Sequence, residues 1–544
     1  MQLLSCVLAV SGFVSLSFAF RQPGKGLFDR TERRQENAQA KRAQHLQPRQ
    51  ESPPDPSFVN RFLNDKTQPF WVNGSAIPKV PFDMGESYAG LLPVSDDPDE
   101  TRKLFFWFWP SLNQSCPQEI AIWFNGGPGC SSMIGFINEN GPWMWQDGTP
   151  YPTLNMYDWR NLTNVMWVEQ PVGVGFTQGE PNVTTEEESS KQFVGFYHQF
   201  AETFGVKGFD IFLTGESYAG YYIPYIANEF ITQNNSDYPL TAIHINDPII
   251  GGNTAQQGVT VYPYIEYWSN LLNLNDTIMA NLSATHEDCG YKDLLDKYFT
   301  YPALQEPFPT PRDPFDGNCD ILDYFDYAVN EVNPCFSFYR ISDRCPLLSS
   351  TQGHILLSLP SPDTAYFNRT DVQETLHVNV GTAWEVCSSD PVFPDMKNRS
   401  SPYDTDLSLP PANNGVLRNV IETTNRVIIG SGNLDALLNT NGTLFAIQNM
   451  TWNGWQGLED FPDRDFISPY HPDTYQSSSG SGVVGKWGRE RGLTFYQIQL
   501  AGHTVPGDAL GPSFRVMEVL LGRVDNLGVH EPFTTDVEAG RDEL

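Results

Sequence analysis

The hexapeptide Gly215-Glu216-Ser217-Tyr218-Ala219-Gly220 constrains this chain more than any other stretch. The apolar run Ile211-Phe212-Leu213 ahead of it predicts a buried strand, and the amphipathic stretch from Tyr221 to Thr232 behind it predicts a helix. Strand, tight turn and helix make the setting of a nucleophile elbow, where glycines lacking Cβ let the backbone turn sharply and hold a serine hydroxyl above the sheet. Ser217 is therefore the candidate nucleophile. The same six letters recur as Gly85-Glu86-Ser87-Tyr88-Ala89-Gly90, but no strand precedes that copy and Leu91-Leu92-Pro93-Val94 after it is strand-like. Ser87 is expected to be structural.

Further apolar runs flank the turn. Leu104 to Trp109, Ile120 to Phe124, Val165 to Val168 and Val427 to Ile429 predict strands that join Ile211 to Leu213 in a mostly parallel, buried sheet alternating with helices, an α/β fold. From about 253 to 414 the pattern weakens into Pro-rich pieces such as Pro307 to Pro314, helix-like segments such as Tyr291 to Tyr298, and four cysteines between Asp288 and Pro346. This range is expected to be an insertion or lid subdomain, stapled by disulfides, between core parts at 57–252 and 415–530; an acidic tail, 531–544, follows.

Leu3 to Ala19 is apolar, too short to span a bilayer comfortably, and ends in Ser17-Phe18-Ala19, a small-x-small cleavage site, so residues 1–19 read as a secretory signal peptide. Residues 20–56 are polar and Gln- and Arg-rich, the composition of a propeptide or disordered linker that cannot offset its ordering entropy. No other run reaches the ~20 apolar residues of a membrane helix, so no membrane partner is expected once the signal is removed. Eleven Asn-x-Ser/Thr sequons, at Asn73, Asn113, Asn161, Asn182, Asn234, Asn275, Asn281, Asn368, Asn398, Asn441 and Asn449, support a glycosylated, secreted surface. After Cys6 leaves with the signal, seven cysteines remain, allowing up to three bridges and leaving at least one thiol free or intermolecular. Their spacing offers no Cys-x-x-Cys pair for zinc. Arg541-Asp542-Glu543-Leu544 is one residue from the Lys-Asp-Glu-Leu retrieval signal, so retention in the endoplasmic reticulum stands as an alternative to a secreted or vacuolar destination. The net charge of -32 repels nucleic acid, which is set aside as a partner.

A nucleophilic serine needs a base, an orienter for the base and donors for an oxyanion. In α/β-hydrolases these follow in the order Ser, Asp, His. Asp435 follows strand Val427 to Ile429 and the turn Gly430-Ser431-Gly432-Asn433, and His503 follows Phe495 to Leu500 in Ala501-Gly502-His503. Both stand where the fold would place them. The Gly-rich run Asn125-Gly126-Gly127-Pro128-Gly129 after Phe124 is the expected source of one oxyanion amide, and the amide of Tyr218 the other. A phosphate loop is excluded, because the run lacks a Gly-Lys-Ser/Thr ending.

These segments carry a family resemblance. The chain resembles the serine carboxypeptidases of the α/β-hydrolase superfamily from about Tyr88 to Gly522, through Trp123 to Ser132 with Glu139-Asn140-Gly141-Pro142, Glu169 to Phe176, Gly215 to Gly220, Gly432-Asn433-Leu434-Asp435 and Ala501 to Pro506. The resemblance implies a serine carboxypeptidase acting on peptides or proteins through an acyl-enzyme, without metal or organic cofactor. Ser217, Asp435 and His503 would be catalytic, Gly127 and Tyr218 the oxyanion hole, and Asn125, Gly126, Glu139 and Glu216 the site for the substrate's terminal carboxylate. Two glutamates beside a carboxylate should repel it unless burial and crowding keep them protonated, so acidic pH should favour binding. Tyr218, Leu437 and Leu438 would line an apolar pocket for the penultimate side chain, with no acid there to attract Lys or Arg. Thr504 stands where the family usually has Met, which points to a more polar or smaller leaving-residue pocket. The resemblance also implies a bridge from Cys130 to Cys387. Relatives with the same triad include acyltransferases, and an esterase or a non-catalytic secretory-pathway binding protein on the same scaffold are the competing functions; the intact Asn125, Glu139 and Glu216 set favours peptidase.

Overall fold

In the computed structural model, residues 61–535 are described, apart from 113–116, 315, 317, 353–358, 361–363, 399–400, 402 and 471–479. The signal peptide, the propeptide or linker, the Arg541–Leu544 tail, Asn113 and Cys116 lie outside the described residues. The strands of the large sheet are β1 (Trp71–Asn73), β2 (Glu86–Pro93), β3 (Lys103–Trp109), β4 (Glu119–Phe124), β5 (Asn164–Glu169), β6 (Asp210–Glu216), β7 (Leu240–Asn246), β8 (Val427–Gly432), β9 (Arg464–Ser468), β10 (Gly482–Glu490) and β11 (Leu493–Ile498). They lie in the order β1-β2-β3-β5-β4-β6-β7-β8-β11-β10-β9. The pairings from β5 through β4, β6, β7 and β8 to β11 are parallel. Those on either side are antiparallel, including that of β3 with β5, so the run at Leu104 to Trp109 belongs to the antiparallel margin. Every residue of β4, β5 and β8 is buried, as strands covered on both faces require.

Two long helices cover one face. In α1 (Glu186–Phe204) the Thr185 side chain caps the Glu188 amide, three glutamates sit in the first turn where the helix dipole favours them, and Gly205 ends the helix at a left-handed φ of 70°. α2 (Ala219–Gln233) follows the elbow. Phe193, Phe196 and Phe200 of α1 and Tyr222, Ile223 and Ile226 of α2 bury against Phe106, Ile122 and Leu213. The opposite face packs Trp107, Trp123 and Trp167 against Phe514, Met517 and Leu520 of a C-terminal helix (Leu510–Leu520).

The described residues of 247–426 contribute no strand to the large sheet. Their helices Val259–Tyr267, Asp276–Asp288, Tyr291–Tyr298 and Ile321–Val332 enclose a separate apolar cluster running from Val259 to Ile341, stapled by Cys289–Cys319 and Cys335–Cys345. The later part of the range expected as an insertion is not in this cluster. Tyr366, Phe367, Trp384, Val392, Phe393 and Ala412 bury against the sheet itself, and Cys387 is bridged to Cys130. The decoy hexapeptide lies within β2: Ser87 is fully buried and accepts from Trp107 Nε1 at 3.2 Å.

Candidate active site

β6 ends at Glu216 and α2 begins at Ala219, so Ser217 and Tyr218 make the turn. Ser217 takes a left-handed φ of 63°, which costs a non-glycine residue about 1 kcal/mol or more and persists only when neighbours over-determine it. Here the Ser217 N–H donates to Asn246 O at 3.0 Å, and Ser217 O accepts from Gly220 N at 2.9 Å and Ile249 N at 3.1 Å. The flanking glycines contribute clearance. A Cβ on Gly215 would lie 2.4 Å from Phe124 O, and one on Gly220 2.1 Å from Ile249 O. Gly126 is equally tight, with Tyr218 N 2.4 Å from where its Cβ would be, so the Gly-rich loop presses directly on the elbow.

Ser217 and His503 line one cavity of about 600 Å³ together with Asn125, Gly126, Gly127, Glu216, Leu437 and Thr504. His503 follows β11 and Asp435 follows β8, both beyond the C-terminal ends of parallel strands, where open α/β sheets place their sites. With Nδ1 as donor, His503 bonds Asp435 Oδ2 at 2.6 Å. Asp435 Oδ1 accepts from the amides of Leu437 at 2.8 Å and Leu438 at 3.1 Å. His503 is further held by its own N–H to Tyr339 O at 2.7 Å, with the Tyr339 ring edge-on at 4.9 Å. Among the described residues, the amides of Gly127 and Tyr218 make no hydrogen bond, leaving both as donors.

Beside the serine lies a buried acid pair. Asn125 Nδ2 donates to Glu216 Oε1 at 2.9 Å and to Glu139 Oε1 at 3.5 Å, and Asn125 Oδ1 is pinned by Trp123 Nε1 at 2.8 Å and the Gly135 amide at 3.0 Å. Glu139 and Glu216 interact electrostatically, and the Oε2 of each is buried with no hydrogen-bond partner among the described residues. Burial pushes Glu139 up to about 7, and burial followed by the Glu139 charge raises Glu216 well above the usual carboxylate range. Two acids in one dry site cannot both ionise cheaply, so the pair holds a proton below neutrality.

A third buried acid buttresses the loop. Glu169, at the end of β5, accepts from Ser131 Oγ, from Phe176 N at 2.5 Å and from Trp384 Nε1 at 2.9 Å, tying the Gly-rich loop to the segment that carries Cys387. Burial raises its carboxyl to about 7. A raised carboxyl means the folded state binds more protons than the unfolded one, so this contribution is fully present below about 4.5 and lost as pH rises through about 7. It amounts to about 3 kcal/mol at most. The urea midpoint is expected to fall between pH 4.5 and 7.5, and Glu169→Gln to flatten part of that slope; an unchanged slope in the variant would show that Glu169 titrates normally.

Several groups that sequence reasoning missed also face this centre. Asp247, Tyr339, Arg340 and Asp508 surround His503 and Asp435; Arg340 pairs with Asp508 at 3.0 Å, and Asp508 Oδ2 accepts from Gly502 N at 2.6 Å. Asp247 follows β7 at the same sheet edge as the triad, and that strand-end position was the available signal. Of the three residues expected to line a penultimate-residue pocket, Leu437 alone lines this cavity. Leu437 lines the cavity, Leu438 is buried behind it among Tyr221, Tyr225 and Ile249, and Tyr218 stacks on Tyr221 at 5.0 Å. Tyr218 Oη donates to Asp406 Oδ2 at 2.6 Å, from a segment 188 residues further along the chain.

Comparison with known proteins identifies the family. The family model described as serine carboxypeptidase matches residues 78–523. A probable serine carboxypeptidase of Arthroderma benhamiae is 41% identical over 483 residues, covering 86% of this chain and 88% of that protein. Serine-type carboxypeptidase F of Aspergillus niger is 41% identical over 481 residues, covering 86% and 89%. Among solved structures, a prohormone-processing carboxypeptidase from Saccharomyces cerevisiae superposes with a TM-score of 0.64 at 22% identity, over 85% of this chain and 98% of that one, a likeness of fold.

Proposed function

The chain belongs to the serine carboxypeptidase family and is a serine-type peptidase of the hydrolase class, and from that premise we propose that it removes single residues from the C-termini of peptides through a Ser217 acyl-enzyme, best at acidic pH. The observation that carries this reading is the buried pair Glu139 and Glu216, bridged by Asn125, with Asn125 and Glu216 lining one cavity with Ser217 and His503 and Glu139 buried behind them. A protonated acid pair donates hydrogen bonds, and a free terminal carboxylate is the ligand that accepts them.

In this mechanism Ser217 Oγ attacks the carbonyl carbon of the last peptide bond while His503 takes the hydroxyl proton, with Asp435 fixing the imidazole tautomer. The amides of Gly127 and Tyr218 donate to the oxyanion, an interaction worth about 3 kcal/mol per donor. Collapse passes the proton from His503 to the leaving amine and frees the terminal amino acid. Water then enters, loses a proton to His503 and attacks the ester carbonyl, releasing the shortened peptide and restoring Ser217. Asn125 Nδ2, the Gly126 amide and the two glutamic acids hold the substrate's carboxylate until the terminal amino acid leaves. No step calls for a metal or organic cofactor.

Specificity follows the two walls of the cavity. Thr504, Asn138, Arg340 and Asp508 all line the cavity, so the leaving residue meets polar groups there. Leu437 offers the penultimate side chain an apolar contact. Entry into the secretory pathway accords with the signal-like residues 1–19, the sequons and the three disulfides. No helix of the described residues is long and apolar enough to cross a membrane.

The deciding experiment compares a blocked dipeptide bearing a free carboxylate with its C-terminal amide at pH 4.5 and pH 8. Release from the free acid is expected to dominate at pH 4.5, with the amide relatively better at pH 8. Equal handling of both substrates at pH 4.5 would remove the exopeptidase assignment and leave an esterase or acyltransferase.

A further inference from the structure

The two oxyanion donors of the mechanism sit on different pieces of chain, Gly127 in the Gly-rich loop and Tyr218 at the start of the elbow helix, and one buried side chain reaches both. Tyr222 is fully buried on α2, four residues after Tyr218, so the two rings share a helix face. Its Oη accepts from the Gly129 N–H at 3.2 Å, and its ring meets the Tyr218 ring edge-on at 5.3 Å. Gly127 and Gly129 are in close contact. A Cβ on Gly127 would lie 2.6 Å from the Gly129 nitrogen, so a shift of one displaces the other. Their left-handed φ values of 117° and 89° turn the loop, and with no side chains of their own they depend on outside bonds to fix it. The other bonds of the loop run elsewhere. The Cys130 N–H donates to Gly126 O at 3.1 Å within the loop, while Ser388 N–H to Gly129 O and Ser131 N–H to Val386 O, both at 2.9 Å, tie it to the segment around Cys387. Among the described residues, the Tyr222 hydroxyl makes the one hydrogen bond between this loop and α2. Burial, and then the Glu186 charge, raise Tyr222 well above the usual tyrosine range, so its oxygen stays a neutral hydroxyl and adds no negative charge behind the oxyanion.

We propose that Tyr222 is a positioning residue of the oxyanion hole, holding the loop that carries the Gly127 amide at a fixed distance from the helix that starts at Tyr218. The proposal rests on the reading of Ser217 as the nucleophile and of those two amides as the donors. An oxyanion is stabilised where both donors reach it at about 2.7 to 3.1 Å, and a misplacement of about 1 Å costs on the order of 100-fold in rate. The Tyr222 hydroxyl transfers no proton and touches no reacting atom. Without it the buried Gly129 N–H has no acceptor, and the loop relieves that cost by moving away from α2. The effect falls on the transition state, where charge gathers on the carbonyl oxygen. The bound ground state keeps its carboxylate contacts at Asn125 and Glu216, which Tyr222 does not touch.

The test compares Tyr222→Phe with Tyr225→Phe. Tyr225 is a buried tyrosine of the same helix whose Oη donates to Leu409 O at 2.7 Å, so its variant loses a similar hydroxyl without a bond to the Gly-rich loop. On a blocked dipeptide with a free carboxylate, Tyr222→Phe is expected to lower kcat by about 10-fold or more with KM within about twofold of wild type, and Tyr225→Phe to keep both within about twofold. A blocked amino aldehyde gives the second readout. Ser217 Oγ bonds to its carbonyl carbon, the hydroxyl proton passes to His503, and the resulting oxyanion lies between the two amides. Its inhibition constant is expected to rise in Tyr222→Phe by the factor by which kcat/KM falls, while that of the blocked amino acid product, which forms no adduct, stays within about twofold. Tyr222→Leu, which also removes the ring contact with Tyr218, is expected to lose more kcat and serves in place of the Phe variant if that protein does not fold. A folded Tyr222→Phe enzyme with kcat within about twofold of wild type overturns the proposal, as does an aldehyde affinity that fails to follow kcat/KM, or an equal kcat loss in Tyr225→Phe. Ser217→Ala is run alongside. Retained hydrolysis in that variant would remove the elbow reading, whereas its loss with an unchanged kcat in Tyr222→Phe would remove the Tyr222 inference alone.

Discussion

Ser217→Ala is expected to lower kcat/KM on a blocked dipeptide by about 10⁵-fold or more, equivalent to about 7 kcal/mol of barrier, while leaving the folded protein and its substrate affinity nearly intact. The methyl side chain occupies the elbow without new contacts, and the bonds that hold this turn run through the backbone of residue 217 to Asn246, Gly220 and Ile249. Stability should therefore change little. What disappears is the only oxygen in the reading above that attacks the carbonyl. His503→Ala should cost a similar factor, and the double variant no more than either alone, because nucleophile and base act as one unit. Activity assays across the three variants, with circular dichroism to establish folding, check this. Substantial residual peptidase activity in folded Ser217→Ala, or additive losses in the double variant, would mean that another group carries the attack.

The second large effect is on the pH dependence of terminal-carboxylate binding. Glu139 is pushed up to about 7 by burial, and Glu216 is raised well above its ordinary range by burial and by Glu139. Below that range the pair keeps a proton and donates to the substrate; as pH rises through about 7 it becomes charged and repels the carboxylate. KM for a peptide with a free C-terminus is therefore expected to climb steeply above neutrality, while KM for an amide or ester stays nearly flat. Glu139→Gln, neutral at every pH, should move the climb to higher pH. Replacing both glutamates by Ala should cost about 10²-fold or more in kcat/KM on the free acid, since hydrogen bonds to a charged group are worth about 1.5 to 3 kcal/mol each. Parallel pH profiles for peptide and ester would contradict the assignment of these residues. The same sign governs stability, because protonated Glu169 in the loop behind the site also favours the folded state at acid pH.

Legibility differed between the parts of the molecule for physical reasons. The Tyr291 to Tyr298 helix matches its residue pattern end to end, and the elbow was readable because strand, turn and helix are contiguous in the chain. The two identical hexapeptides show the limit of the letters alone. Ser87 is buried in an antiparallel strand against Trp107, and Ser217 lies at a cavity, so the surrounding residues decided between them. The insertion was placed by its cysteines and prolines, yet its later part packs on the main sheet because burial of Trp384, Phe367 and Phe393 depends on partners hundreds of residues away.

Taken by itself, the order of residues determined the strands at Ile120, Val165, Ile211 and Val427, the helix after the elbow, the serine that turns into it and the strand ends from which an aspartate and a histidine would reach it. Each of these depends on neighbours a few positions apart, or on periodicity along one element. Only the tertiary structure decided which acids share protons. Glu139 and Glu216 meet through Asn125, 14 and 91 positions from it, Asp406 reaches Tyr218 across 188 positions, and Asp247 comes to rest beside Asp435. A carboxyl group's charge is set by how dry its surroundings are and by which other charges lie within a few ångströms. Both are properties of the folded packing, and adjacency in the chain does not encode them.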